Sequence, residues 1–295
     1  MHAAWGATLI LAAFLPTTAR AACEPTFATG STVVTLTPMP SFDDQQIAER
    51  FQLEIRNSGS DLCTLRLSVG RDTAASDPNF PAYTLSSPSG AIPAAALAGG
   101  EDSAGSPGGI TVTVPANGRV VVPYDVRLSV GWGIEARTYD QELIYRLHST
   151  DSQDELAIQR TRLSLTIPTA ARIRFSGASA TDGAPILDMG ALSATGRTVS
   201  PPFAIRVLST APYRVELSSE NFGKLRRVDG PDLIPYRLSV SNQIVDLTAG
   251  GAFIRVPGHT GPTGNVHPVA IEIGPDPARH AGNYSDRVTV TVSTF

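Results

Sequence analysis

Residues able to do proton or metal chemistry are few and scattered. His148, His259, His267 and His280 lie past the N-terminal segment, each in polar or Gly- and Pro-rich surroundings. None has a Cys or Glu at metal-ligand spacing, so all four read as surface loop residues. Asp43-Asp44 and Glu101-Asp102 are adjacent carboxylates. A general acid and base must face a substrate from different sides, so side-by-side acids in loop-rich sequence read as solvated pairs. The run Gly258-His259-Thr260-Gly261-Pro262-Thr263-Gly264 has the glycines of a phosphate cradle without its lysine, and no Gly-x-Ser-x-Gly elbow occurs. The chain is expected to be no enzyme and to use no metal and no cofactor.

Cys23 and Cys63 are the two cysteines, and their chemistry depends on the compartment. Ala3 to Leu15 is an apolar stretch too short to span a bilayer, followed by Ala19-Arg20-Ala21, a small-x-small cleavage pattern. Residues 1–21 are therefore read as a secretory signal peptide, although no Lys or Arg precedes the apolar stretch. In an exported chain the two cysteines are expected to form a disulfide. Closing that loop is worth about 4 kcal/mol on the chain-entropy account. The rival reading is lipidation of Cys23, against which Arg20 stands where a lipoprotein signal wants an aliphatic residue.

The elements that carry these residues alternate with period two. Phe51-x-Leu53-x-Ile55, Cys63-x-Leu65-x-Leu67-x-Val69, Ile110-x-Val112-x-Val114 and Leu163-x-Leu165-x-Ile167 read as half-buried strands. So do Phe203-x-Ile205-x-Val207, Tyr213-x-Val215-x-Leu217, Tyr236-x-Leu238-x-Val240 and Val288-x-Val290-x-Val292. No comparable helical pattern competes, so the fold class is all-β, with sandwiches favoured over barrels. Charged residues make up 17% of the chain, with 23 Lys and Arg against 27 Asp and Glu. Cleavage after Ala21 removes Arg20 and no acid, leaving 22 − 27 = −5. An electrostatic nucleic-acid binder is thereby excluded.

An internal repeat divides the chain in two. Ala136-x-x-Tyr139-x-x-x-Leu143-x-Tyr145-x-Leu147 matches Ala281-x-x-Tyr284-x-x-x-Val288-x-Val290-x-Val292 position for position. Earlier in each half, Phe51-x-Leu53-x-Ile55 with Leu65-x-Leu67 mirrors Phe203-x-Ile205-x-Val207 with Val215-x-Leu217. Two related sandwiches are expected, over 22–168 and 169–295, with the joint at Pro168 to Arg172. Each matched tyrosine is expected to bond its hydroxyl back to nearby backbone as a corner device.

The halves part after the matched strand. Leu147 is followed by a polar turn and a further alternating segment from Leu156 through Ile167, whereas only Ser293, Thr294 and Phe295 follow Val292. The second sandwich is expected to lack its final strand. That leaves an apolar groove and an unpaired edge, a hazard unless another chain supplies a strand. Val288, Val290, Val292 and Phe295 are expected to form the interface with the supplied strand, the three valines lining one wall of the groove.

Leu187-Asp188-Met189-Gly190-x-Leu192, Pro212-Tyr213-x-Val215-x-Leu217 with Asn221-Phe222-Gly223, and the ending Ala281-Gly282-Asn283-Tyr284-Ser285-Asp286-x-Val288-Thr289-Val290-Thr291-Val292 resemble the spore coat protein U family. That family includes pilins of archaic chaperone-usher pili. The resemblance covers about residues 173–295, and the first half shares the cysteine pair and the tyrosine strand. It implies tandem immunoglobulin-like β-sandwiches, the second missing a strand. It also implies that a periplasmic chaperone donates that strand transiently and that a neighbouring pilin subunit replaces it at the outer-membrane usher. Family pilins carry their own donor strand before the first cysteine. Cys23 lies so near the expected mature N-terminus that this chain is expected to accept a strand and give none, as a tip adhesin acting in attachment and biofilm formation does. The alternative is a coat or biofilm-matrix protein that assembles with itself.

Adhesion calls for exposed loops. Phe80, Tyr83, Ile92, Leu97 and Trp132 lie in or beside Pro-, Gly- and Ala-rich sequence and are candidates for gripping an apolar surface by releasing water. The competing expectation is that Phe80 and Trp132 close the ends of the sandwich.

Overall fold

The computed structural model describes residues 22–38, 45–97, 109–152, 154–177, 184–248 and 252–295. The expected signal peptide, Asp43-Asp44 and Glu101-Asp102 lie outside them. The fold is all-β, in two immunoglobulin-like sandwiches, with one 3-10 turn at Ala94–Leu97.

In the first half the strands are β1 (Pro25–Phe27), β2 (Ser31–Leu36), β3 (Gln45–Asn57), β4 (Cys63–Asp72), β5 (Tyr83–Ser87), β6 (Gly90–Pro93), β7 (Ile110–Val114), β8 (Arg119–Val130), β9 (Thr138–Ser149) and β10 (Glu155–Thr166). They form two five-stranded sheets, β1-β3-β8-β5-β6 and β2-β10-β9-β4-β7. Strand β10 is antiparallel to β9 and parallel to β2, so β9 is paired along both edges. Alternation sends Leu53, Ile55, Leu65, Leu67, Leu163 and Leu165 into one dry core between the sheets. Tyr124 and Tyr145 are wholly buried there, with ring centroids 5.1 Å apart, and burial pushes both phenols well above their ordinary ionisation range. The Cys23–Cys63 disulfide ties the segment before β1 to the start of β4.

The second half contains β11 (Ala171–Ser176), β12 (Thr198–Val199), β13 (Phe203–Ser209), β14 (Tyr213–Ser219), β15 (Lys224–Arg227), β16 (Leu233–Val240), β17 (Gln243–Val245), β18 (Ala252–Val256), β19 (Asn265–Ile273), β20 (Tyr284–Ser285) and β21 (Val288–Thr294). One sheet runs β11-β13-β19-β16-β15-β20 and the other is β18-β14-β21. Its core is separate and smaller, built on Ile205, Val207, Tyr213, Val215, Leu217 and Val240. Matching the strand orders through the sequence repeat puts β11, β13, β19 and β16 in the places of β1, β3, β8 and β5. It likewise puts β18, β14 and β21 in those of β7, β4 and β9. Among the described residues no strand takes the place of β10 or β2.

The reading of four loop histidines is corrected at two of them, since His148 lies near the end of β9 and His267 is buried on a strand. His267 lies on β19, is 8% exposed, and sits beneath Tyr213. Asn265 donates from Nδ2 to the Tyr213 hydroxyl (3.0 Å), which leaves that hydroxyl to donate to His267 Nε2 (2.9 Å). The Ser241 hydroxyl lies 3.2 Å from Nδ1. A neutral ring satisfies both contacts, and burial pushes the imidazole below its ordinary value.

The halves meet through backbone. The Thr210 hydroxyl donates to Pro168 O (2.9 Å) and accepts from Ala170 N–H (2.9 Å), while Ala136 N–H donates to Thr210 O (2.6 Å). Gly133, at φ +105°, lies so close to Pro262 that a Cβ there would stand 2.8 Å from its nitrogen. Only glycine suits both the angle and the approach. The Gly258–Gly264 run takes part in this joint, with Thr260 and Ser209 bonding each other's backbone.

Candidate functional site

The matched tyrosines hold their strands in the same way. Tyr139 donates its hydroxyl to Glu135 O and Tyr284 to His280 O, each at 2.9 Å and each four residues upstream. Each therefore fixes the bend by which the chain enters β9 or β21, and with it the register of the apolar residues that follow.

Register on β21 is further fixed by Asp286. Its carboxylate accepts from the Ser219 hydroxyl (2.6 Å), the Tyr236 hydroxyl (2.6 Å), and the backbone (3.0 Å) and side-chain (3.1 Å) nitrogens of Asn221. The phenol of Tyr236 is pushed up by burial and by this carboxylate. The network joins the Asn221-Phe222-Gly223 turn to the Asn283-Tyr284-Ser285-Asp286 segment. Phe222 is held at φ +53° and Gly223 at φ +74°, which lets the chain turn back over Asp286.

Strand β21 then pairs with β14 from Val288 opposite Ser219 to Thr294 opposite Tyr213. Its other edge meets no strand among the described residues, although β11 runs near it. Val288, Val290 and Val292 turn toward the second core yet stay only partly buried. At the matching positions of the first sandwich, Leu143, Tyr145 and Leu147 are fully buried under β10. Ile173 of β11 is likewise half-buried against the second core. Sequence reading passed over it, though Ile173-x-Phe175 directly after the joint alternates as a strand should. The result is an open edge backed by apolar side chains, able to take an alternating strand by backbone pairing.

Phe295 does not join the valines. It is 64% exposed, and the Arg255 guanidinium lies 5.9 Å from its ring and 5.1 Å from that of Phe253. By alternation along β21 it belongs with Thr291 and Ser293 on the outer face.

The candidate adhesive residues are placed differently from the expected exposed tips. Tyr83, Ile92 and Leu97 are buried in the first core, and Phe80 and Trp132 pack against it. Phe80 meets Tyr83 edge-on at 5.6 Å, and the Arg172 guanidinium lies 5.7 Å from the Trp132 ring, in the joint. The physical reason is that the segment is not all loop: Tyr83 opens β5, Ile92 lies on β6 and Leu97 closes the 3-10 turn, so sheet pairing turns them onto the core. The Pro-, Gly- and Ala-rich sequence from Ser86 to Gly109, also expected to form an adhesive loop, lies outside the described residues over 98–108. Among the described residues no group of three or more His, Cys, Asp or Glu is placed to hold a metal, and no helix is long and apolar enough to cross a membrane.

No family model matches the chain, and no curated protein is similar to it in sequence. Among solved structures, it is similar to the CsuC-CsuE chaperone-tip adhesion subunit pre-assembly complex from archaic chaperone-usher Csu pili of Acinetobacter baumannii. The identity is 14% and the TM-score 0.42, over 92% of this chain and 99% of that one. It is also similar to the CupB6 tip adhesin from Pseudomonas aeruginosa, at 10% identity and TM-score 0.39, over 91% of this chain and 93% of the other. The YadV chaperone matches at 8% identity and TM-score 0.25, over 91% and 92%.

Proposed function

We propose that this chain is an exported pilus tip subunit whose second sandwich is completed by a strand from another protein. The partners in this reading are a periplasmic chaperone first and a neighbouring pilin subunit afterwards, with exchange at an outer-membrane usher. Attachment and biofilm formation are the roles that follow, with no catalysis and no cofactor. The observation that carries the reading is the contrast along one motif: Leu143, Tyr145 and Leu147 are sealed by β10, while Val288, Val290 and Val292 face an unpaired edge. An edge of this kind, backed by apolar groups, pairs with the next available strand unless a specific one is supplied. The sequence resemblance to archaic pilins supports the same reading through the Asn221-Phe222-Gly223 and Asn283-to-Val292 segments. The strand acceptor is Val288, Val290 and Val292 with Ile173 opposite, and Phe295 stands outside it.

Co-purification from periplasm tests this. The native chain is compared with one carrying, after Phe295 and a flexible linker, an alternating donor segment from a pilin. The native chain is expected to be recovered with the chaperone, and the extended chain as a protease-resistant monomer without it. A native chain that is monomeric and stable alone would show the second sandwich to be complete and would remove the pilus assignment.

A further inference from the structure

If the edge of β21 accepts a strand, the body of the donor must sit somewhere, and the molecule contains its own template for where. In the first sandwich β10 fills the place beside β9. It runs from Glu155 opposite His148 to Thr166 opposite Thr138, and the chain continues within a few residues into the second sandwich. The sandwich that follows the filling strand therefore rests at the end of β9 where Tyr139 lies. Residues 131–137 are its seat. Ala136 donates to Thr210 O, Gly133 lies against Pro262, and Trp132 faces Arg172.

The matching end of the second sandwich is built alike and left uncovered. Ala281 stands for Ala136 and Tyr284 for Tyr139, and residues 281–283 are exposed where Ala136 and its neighbours 131–134 are partly buried. Val228, 65% exposed, and Leu233, 49% exposed, flank this loop. They are tied to it by Val228 N–H donating to Asn283 O (2.9 Å) and by Asp232 Oδ1 lying 3.0 Å from His280 Nδ1. Arg227 completes the rim through its 3.0 Å pair with Asp232.

The direction of an incoming strand is constrained as well. A strand antiparallel to β21, as β10 is to β9, enters at the Thr294 end and leaves at the Val288 end. A parallel strand would leave at the Thr294 end, where Phe295 N–H bonds Pro212 O and the neighbouring Thr210 already holds the first sandwich. The Val288 end is the one with room for another folded body.

Resting on the strand-acceptor reading, we propose that the surface around Val228, Leu233 and Ala281 seats the folded β-sandwich that follows the donated strand in the donor's own chain. Burying two aliphatic side chains beside an exposed loop supplies a compact apolar centre with the Arg227, Asp232 and His280 rim around it.

Photo-crosslinking in the full chain, within surface structures assembled by the producing cell, tests this. A benzophenone amino acid is placed singly at Val290, Val228, Leu233 and, as a control on the first sandwich, exposed Val33. Val290 is expected to capture a strand segment. Val228 and Leu233 are expected to capture peptides of the same protein from the folded region C-terminal to that segment, and Val33 none of them. A strand captured at Val290 without such peptides at Val228 or Leu233, or with equal capture at Val33, would overturn the seat while leaving the strand acceptor intact. No strand captured at Val290 would overturn both.

Discussion

The two sandwiches share the order of four strands in one sheet and part company in the other. Strand β9 lies between β4 and β10, whereas β21 has β14 on one side and, among the described residues, an open edge on the other. The same motif thus yields sealed residues in one half and half-buried ones in the other. Leu143, Tyr145 and Leu147 are driven inward by their alternation, as Val288, Val290 and Val292 are, but only a neighbouring strand removes the last water. The comparison teaches that alternation assigns a face and that pairing decides how dry the face becomes. It also separates two ways of holding a sandwich together. The first uses a larger core and a disulfide; the second relies on a small core and on the polar clusters around Asp286 and His267.

The sharpest way to break this comparison is to remove the cross-link. Replacing Cys23 and Cys63 with Ser is expected to cost the first sandwich about 4 kcal/mol and leave the second unchanged. Calorimetry would then show one transition lowered and one fixed; equal losses in both would mean the halves unfold together. Matched core deletions come next. Leu147→Ala should cost about 3 kcal/mol in urea unfolding, and Val292→Ala about 1 kcal/mol, because that valine is smaller and only partly buried. Equal costs would show the open edge to be sealed in solution.

Asp286→Ala should destabilise the second sandwich by about 2 kcal/mol, since it strips the acceptor from the Ser219 and Tyr236 hydroxyls and from the Asn221 turn. Chemical denaturation followed by protease sensitivity of the segment near Tyr284 would report it. Tyr139→Phe and Tyr284→Phe remove matched corner bonds. About 1 kcal/mol is expected for Tyr139, with less for the more exposed Tyr284, so denaturation midpoints measure how equally the corners work.

The smallest effect is one of pH. Burial holds the His267 imidazole below its ordinary value of about 6.5. As pH falls through that value the unfolded chain takes up a proton that the folded sandwich refuses. The stability contribution is therefore intact above about pH 6.5 and declines below it. His267→Gln should flatten the dependence seen in melts between pH 7 and pH 5, and an unchanged slope would assign it to other groups.

Much of the fold was legible in the sequence because period-two alternation and a position-matched repeat are local signals. The strands at Phe51, Cys63, Leu163, Tyr213 and Val288 and both tyrosine corners were readable in this way, and the disulfide from two cysteines behind an export signal. The loop aromatics were not. Phe80 and Trp132 sit in sequence that looks exposed; Trp132 is met by Arg172, far along the chain, and Phe80 packs against the first core edge-on to nearby Tyr83, because a local turn folds it back onto the sandwich. His267 misled for a related reason, because its Gly- and Pro-rich neighbours hide the strand that carries it under Tyr213. Ile173 was overlooked because a single alternating pair beside a joint is too short to stand out.

By itself, then, the sequence determined that the chain is all-β and built twice on one motif, and which side chains of each strand face inward, since alternation and repetition are written residue by residue. Only the tertiary structure decided which of those inward faces are dry and which polar groups find one another across the sandwich. It alone showed where one sandwich rests on the other. Those outcomes depend on long-range pairing, where one strand supplies the hydrogen bonds and cover that another lacks, and no local pattern encodes a neighbour.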